Sequence, residues 1–447
     1  MYVVSNNIKI LSLVLVVLGL LGIGYGFYSS PKTIEESKEM IASMGHDSHS
    51  HDSHSNSHSS KDEKSYNSDL EGGHSHVMSH DEHVFHQLAN RPWAAVYVSA
   101  FFFFMISLGT LAFYAIQRAA QAGWSPLLFR VMEGITGYLL PGGIFVIVIL
   151  VLSVMHFNHL FIWMDPEVVE HDKIIKAKSG YLDSTFFLIR AVFYLSGWVI
   201  YRYVSRRLSI AQDNSKDNKN HVKNFKLSAA FLVFFLVTES MMSWDWIMSI
   251  DPHWFSTLFG WYVFASMVVS AVTTIALISI YLKSNGYLPN VNSNHLHDLA
   301  KFMFGFSVFW AYLWFSQFML IWYSNIPEEV VYFISRMEDY PLPFWGMVIL
   351  NLVFPMLILI SSNFKRLNWI IVMAGIVILI GHYIDIFNMI MPSAVGDQWF
   401  IGAPEIGSIM FFGGIFIYVV FSSLTKAPLE ASGDPFNTES KKFIYPH

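Results

Sequence analysis

The chain has 447 residues, of which 54% are hydrophobic, 17% aromatic and only 13% charged, with a formal net charge of −6. Soluble domains carry about 25% charged residues, so this composition excludes a water-soluble globule. It contains no cysteine, which excludes thiolate-held iron–sulfur clusters and CxxCH haem attachment; no phosphate-loop or nucleotide signature is present, and no nucleic-acid partner is expected.

About 20 apolar residues cross a bilayer core, and ten stretches qualify: 10–27, 93–116, 138–158, 184–203, 227–248, 257–282, 302–323, 343–361, 368–390 and 406–424. Lipid offers no partners to an open sheet edge, so all ten are predicted to be helices. The fold class is therefore an all-α polytopic membrane protein. The first span lies in residues 1–28. Its flank YGFYSS has no small-x-small cleavage site, which predicts a retained anchor rather than a signal peptide. Residues 29–92 carry ten of the nineteen histidines (His46, His49, His51, His54, His58, His74, His76, His80, His83, His86) among Ser, Asp and Gly. Such a segment cannot bury a core and is expected to be a disordered, periplasmic loop. Loose Zn2+, Ni2+ or Cu2+ binding through its imidazoles is the sharper alternative, although no fixed ligand spacing assigns a metal site.

Spans 2–5 (residues 93–256) and 6–9 (residues 257–403) have the marks of an internal duplication. HLFIWMDPEVV at 159–169 matches FMLIWYSNIPEEVV at 318–331; Pro166 and Pro327 differ by 161 positions, as do Trp93 and Trp254. Each copy is expected to form a four-helix bundle, with the first helix and the last (404–424) peripheral. The polar tail, 425–447, reads as a docking or mobile segment. Basic residues concentrate in the even-numbered short loops (Arg118, Arg130, Arg202, Arg206, Arg207, Lys283, Lys365, Arg366) and acidic ones in the opposite loops. By the positive-inside rule both termini are placed in the cytoplasm of a cell with an inner membrane.

The intramembrane charges carry the functional argument. Span 5 holds Asp245 seven residues before Pro252, and span 9 holds Asp385 seven before Pro392. A charge at mid-bilayer costs roughly 2.5–3.5 kcal/mol on insertion scales, so a site or a proton route is the default reading. With a rise of 1.5 Å per residue, Glu239 and Asp245 lie about 18 and 27 Å from the inner end of span 5, and His382 and Asp385 about 21 and 25 Å into span 9. His382 and Asp385, at i, i+3, share a face. Arg190, about 9 Å below the outer surface, is placed to balance Asp245 or Glu239, and such a pair can be plain structural glue. Glu133 precedes the third span at the inner mouth and Glu405 opens the last one at the outer mouth. Between them the inner half offers hydroxyls: Ser107, Thr110, Tyr114, Thr273 and Thr274. Acids, a histidine and hydroxyls at several depths are the ingredients of a proton relay.

DWIMSIDPHWFST (245–257), GHYIDIFNMIMP (381–392) and the ten-helix, four-plus-four layout resemble the F subunit of bacterial alternative complex III, a quinol:cytochrome c oxidoreductase, within the NrfD or polysulfide-reductase membrane-subunit superfamily. The resemblance covers roughly residues 93–424. It implies a respiratory, electron-transport assembly with an iron–sulfur subunit, multihaem cytochrome c subunits, a sister NrfD-like subunit and often a terminal oxidase, surrounded by lipid. It implies no covalently bound cofactor, with a quinone (menaquinone or ubiquinone) as the possible ligand. Carried onto this chain, Glu133, Arg190, Glu239, Asp245, His382, Asp385 and Glu405 are proton-pathway candidates, and His156, His159 and Asp165 are quinone-side candidates. No residue is expected to be catalytic on its own. The His-rich loop is outside the family pattern. The alternative is a proton-coupled secondary transporter built from the four-helix repeat, which matched broken helices in both copies would favour.

Overall fold

The computed structural model describes residues 2–47 and 80–444. Among these residues every regular element is helical, and ten helical stretches are long and apolar enough to cross a membrane. The protein is an all-α polytopic membrane protein.

Helix α1 (Asn6–Ser29) starts at Ser5, whose hydroxyl accepts from the Ile8 N–H at 3.4 Å. It is followed by α2 (Ile34–Asp47) and α3 (His80–Ala119). The long loop expected over 29–92 is thus helical at both ends; its central part, 48–79, lies outside the described residues. Helix α3 extends outward past residue 93 because Val84 and Leu88, one turn apart, are buried, and because Asn90 clasps the His159 backbone through both amide ends, at 3.0 and 2.9 Å.

The third span joins α4 (Phe129–Ile135) to α5 (Leu139–Val154) through a 3₁₀ turn. Beyond it α6 (Pro166–His171) and α7 (Lys173–Lys178) are short surface helices, N-capped by Asp165 and Asp172. The fourth and fifth spans are α8 (Ser184–Asp213) and α9 (Lys219–Trp246); the sixth and seventh are α10 (Phe259–Ser284) and α11 (Ser293–Ser324). After the surface helix α12 (Pro327–Glu338), the eighth span is interrupted: α13 (Pro341–Val348) and α14 (Phe354–Leu359) meet at a π-helical turn, Ile349–Val353. Helices α15 (Asn368–Val395) and α16 (Ala403–Leu424) complete the spans, and α17 (Asn437–Lys441) lies in the tail.

Helices α3 and α10 are apolar all round, and their apolar windows are 89% buried, which makes them the central pair. Around α3, helices α5, α8 and α9 close one ring; around α10, helices α11, α13–α14 and α15 close another. The rings join where α3 meets α10 and α15 and where α9 meets α10, an arrangement that two copies of one unit related by a pseudo-two-fold would produce. Helix α1 stands apart, with 17% of its window buried. It packs chiefly on α16, backbone to backbone: a Cβ on Gly22 would lie 2.8 Å from the Gly407 Cα and 2.9 Å from the Ala403 carbonyl oxygen. Lipid provides no hydrophobic drive between helices, so this close van der Waals approach is what holds them.

Over its described part the tail is docked, the first of the two readings its polarity allowed. Asp434 is buried and forms an ion pair with Arg118 at 2.6 Å. The Ser440 hydroxyl donates to the Trp124 carbonyl at 2.7 Å, and the Asn292 amide donates to the Phe443 carbonyl at 2.8 Å. Tyr2 packs on Tyr287 and Phe421, so residue 2 and the tail lie on the same face of the molecule.

Two outcomes test this packing. Gly407→Leu should part α1 from α16 and lower the thermal midpoint, and deleting α1 should then cost little more than the substitution alone, the non-additivity of two changes at one contact. For the tail, burial opposes ionisation of Asp434, but His221 and the Arg118 charge outweigh it and hold the carboxyl below its usual range. The docking is therefore complete above the unfolded value of about 3.9 and is lost as pH falls through the lower folded value. Limited proteolysis should find the tail protected at neutral pH and released in acid, whereas Asp434→Asn should release it at both.

Candidate functional site: two buried carboxylates in two four-helix rings

Asp245 and Asp385 are both fully buried, one in each ring, but their partners differ in kind. On α9, Asp245 receives a two-pronged grip from Arg190 of α8: Nε donates to Oδ2 at 2.8 Å and Nη2 to Oδ1 at 2.9 Å. The Tyr194 hydroxyl donates to Oδ2 at 3.1 Å. Arg190 also donates to the Tyr181 carbonyl at 3.1 Å, and its guanidinium lies over the Tyr181 and Phe186 rings at 4.0 and 4.3 Å. Every face of this cation is used. A bidentate arginine–carboxylate pair is a rigid, charge-neutral clamp.

Asp385, on α15, is held by neutral groups. The Tyr262 hydroxyl of α10 donates to Oδ1, and the Trp310 indole N–H of α11 donates to Oδ2 at 2.9 Å. His382, one turn earlier on the same helix, places Nδ1 3.5 Å from Oδ2 and 2.9 Å from the Ser266 hydroxyl of α10. Among the described residues no arginine or lysine forms an ion pair with Asp385. Depending on tautomer, His382 Nδ1 donates toward Asp385 or accepts from Ser266; its Nε2 is buried with no hydrogen-bond partner. Toward the basic face Ser266 is followed on α10 by Ser270 and Thr274, at i+4 spacing; the Ser270 hydroxyl donates to the Ser266 carbonyl and that of Thr274 to the Ser270 carbonyl, each at 2.8 Å.

The nearest cation in this ring, Arg336 of α12, is buried but engaged elsewhere. Pro392 has no N–H to give the Asn388 carbonyl four residues back, and Arg336 Nε donates to that oxygen at 3.0 Å, with Nη1 donating to the Tyr332 carbonyl at 2.8 Å. A cavity of about 10 Å³ is lined by Tyr262, Gln317, Arg336 and Asn388 among others; that is room for a single water. The interrupted eighth span adds Asn351, fully buried with neither amide end bonded. It packs on Gly381, where a Cβ would collide with its Oδ1. π-Turns recur at functional sites.

The remaining sequence candidates sort by the same test. Glu133 pairs with Arg130 at 2.7 Å and accepts from the Tyr114 hydroxyl at 3.1 Å. Glu405 caps α16 by accepting from the Gly402 N–H, and pairs with Arg91, both at 2.8 Å. Both acids are therefore neutralised, as Asp245 is. Glu239 is buried and forms no ion pair among the described residues, meeting the hydroxyls of Ser243, at 3.2 Å, and Ser240. His156, His159 and Asp165 share no hydrogen bond among the described residues. His156 is an exposed left-handed residue past the end of α5 (φ +58°), His159 packs edge-on against His86, and Asp165 spends its Oδ1 on the Glu167 N–H as a helix cap. Sequence reasoning missed Tyr262, Trp310, Ser266, Tyr194, Arg91 and Asn351, whose roles depend on which helices face one another.

No protein-family model matches this chain, and no curated protein matches it.

The contrast predicts opposite outcomes for one chemical change. Asp245→Asn strands the buried Arg190 charge, at a cost of about 3–5 kcal/mol by analogy with broken buried pairs in soluble proteins. Asp385→Asn can keep its oxygen for the Trp310 N–H and donate its amide to the Tyr262 hydroxyl oxygen, and should cost about 1 kcal/mol. Thermal unfolding of the two variants in the same detergent measures the difference.

Proposed function

We propose that this chain is the proton-handling membrane subunit of a respiratory quinol:cytochrome c oxidoreductase, with Asp385 and His382 of the second ring as the working pair. The observation that carries the proton role is the unequal partnering of Asp245 and Asp385. A carboxylate clamped by arginine stays ionised and static; one held by a phenol, an indole and an imidazole can take up and release a proton without stranding a partner charge. In this reading the Ser266–Ser270–Thr274 hydroxyls lead to His382 from the basic face, and Tyr262 with the cavity beside Arg336 and Gln317 leads from Asp385 toward the acidic face. Arg190, Asp245, Glu133 and Glu405 hold the scaffold. Glu239 is a second titratable position, in the first ring.

Membership in a quinol-oxidising complex rests on the resemblance of 245–257 and 381–392 to the F subunit of alternative complex III. With no cysteine in the chain, electron transfer is assigned to iron–sulfur and multihaem cytochrome c partners, beside a sister subunit and a terminal oxidase, in a cell inner membrane with both ends of the chain cytoplasmic. The quinone would be met near the outer face. The transporter alternative draws less support: the eighth span is interrupted by a π-turn, whereas its counterpart α8 is one continuous helix, so the paired interruptions of a repeat-built carrier are missing among the described residues.

Purification in mild detergent tests the assembly: haem-bearing proteins should co-elute, and a lone homo-oligomer would defeat the reading. In the assembled complex, Asp385→Asn should leave composition unchanged and lower quinol turnover or its coupled proton release by tenfold or more, about 1.4 kcal/mol in the barrier. Unchanged turnover and unchanged proton release in that variant would remove Asp385 from the mechanism.

A further inference from the structure

At the basic end of α8 two arginines converge, and the one acid that acts on both, Glu133, is already paired with Arg130. The arginines around them are matched: Arg118 pairs with Asp434 at 2.6 Å, and Arg130 pairs with Glu133 at 2.7 Å and also with Asp213. These pairs occupy the neighbouring acids and leave Arg202 and Arg206, at i, i+4 on one helix face. Arg206 donates to the Ser423 hydroxyl at 2.8 Å and to its carbonyl at 3.0 Å. Arg202 is only 8% exposed; its Nε contacts the Thr136 hydroxyl at 3.5 Å, and its guanidinium bonds Tyr203 and lies 4.8 Å from that ring, so its partners are neutral groups. Both flank one spot, since a Cβ on Gly137 would lie 2.7 Å from the Ser423 Oγ and 3.6 Å from the Arg202 Nη2. Neither arginine forms an ion pair with a carboxylate among the described residues.

We propose that Arg202 and Arg206 bind the phosphate of an anionic phospholipid headgroup. Arg206 repels Arg202, and the shared Glu133 is divided with Arg130, so an anion seated between the two guanidiniums would relieve the repulsion; the guanidinium fork fits phosphate oxygens two at a time. The depth is right for a headgroup. Arg202 lies eighteen residues past Ser184, roughly 27 Å along the helix, close to the thickness of a bilayer's hydrocarbon core. The surrounding surface suits acyl chains: Ile200, Tyr203 and Val204 are 62%, 51% and 41% exposed. Basic pockets between spans are known lipid-headgroup sites, and a soluble phosphate would gain nothing from that apolar flank.

The experiment uses the full chain, with whatever partners co-elute, in mild detergent. Phosphatidylglycerol, phosphatidylcholine and inorganic phosphate are added separately, and the thermal midpoint and the lipid retained in native mass spectrometry are recorded. Phosphatidylglycerol alone should raise the midpoint and be retained. Arg202→Gln and Arg206→Gln should each abolish both effects, whereas Arg207→Gln, one residue along and exposed, should leave them unchanged. Lysine at either position keeps the charge and loses the fork, so these variants should fold and bind roughly tenfold more weakly; they carry the test if the glutamine variants fold poorly. Equal stabilisation by phosphatidylcholine, or an effect that survives both substitutions together, would overturn the site. A response to inorganic phosphate as large as that to phosphatidylglycerol would overturn its assignment to lipid.

Discussion

Pairing of buried acids with cations from elsewhere in the chain is the constraint on which the rest of this structure depends. The buried carboxylates among the described residues are Glu133, Glu239, Asp245, Asp298, Asp385, Glu405 and Asp434. Arg130, Arg190, Lys301, Arg91 and Arg118 neutralise all of them except Glu239 and Asp385. Most of these pairs tie together separate parts of the chain: α8 to α9, the N-terminal half of α3 to α16, and the C-terminal end of α3 to the tail. In a solvent that offers no hydration, each such pair fixes a helix end in position and leaves little freedom for alternatives. The two acids left out of this scheme are conspicuous for that reason.

The spans were legible because lipid leaves no other solution: a run of about 20 apolar residues has to be a helix. The grouping of α3 to α9 and α10 to α15 into two rings follows the offsets between Trp93 and Trp254 and between Pro166 and Pro327. Depth narrowed the partner of Arg190 to Asp245 or Glu239 on the adjacent span. The bidentate contact and the Tyr181 and Phe186 rings over the guanidinium single out Asp245. The partners of Asp385 were hidden, because Tyr262 and Trp310 look like ordinary apolar-face aromatics until α10 and α11 are seen to face α15.

The polarity of the tail left docking and mobility both open. Asp434, Asn437 and Ser440 are buried, because a polar segment can dock on a polar surface through specific bonds with little apolar area. The interruption of the eighth span had one signal, Pro355 just past Ile349–Val353, which has no N–H to give the Asn351 carbonyl four residues back. The two rings thus share a helix order and differ in chemistry. One is closed by a salt bridge, and the other keeps a hydroxyl, an indole and an imidazole around its acid together with an unbonded amide on the facing helix.

The glycine seam between α1 and α16 has a bearing on how the chain is made. Eight spans separate these two helices in the sequence, and α1 makes little contact with anything else. During synthesis α1 enters the bilayer and waits there with its small-residue face toward lipid until α16 arrives. Assembly of this pair therefore reports that α16 has entered the bilayer opposite in direction to α1, which an odd number of missed spans between them would prevent. A chain stalled midway keeps the glycine face of α1 against lipid.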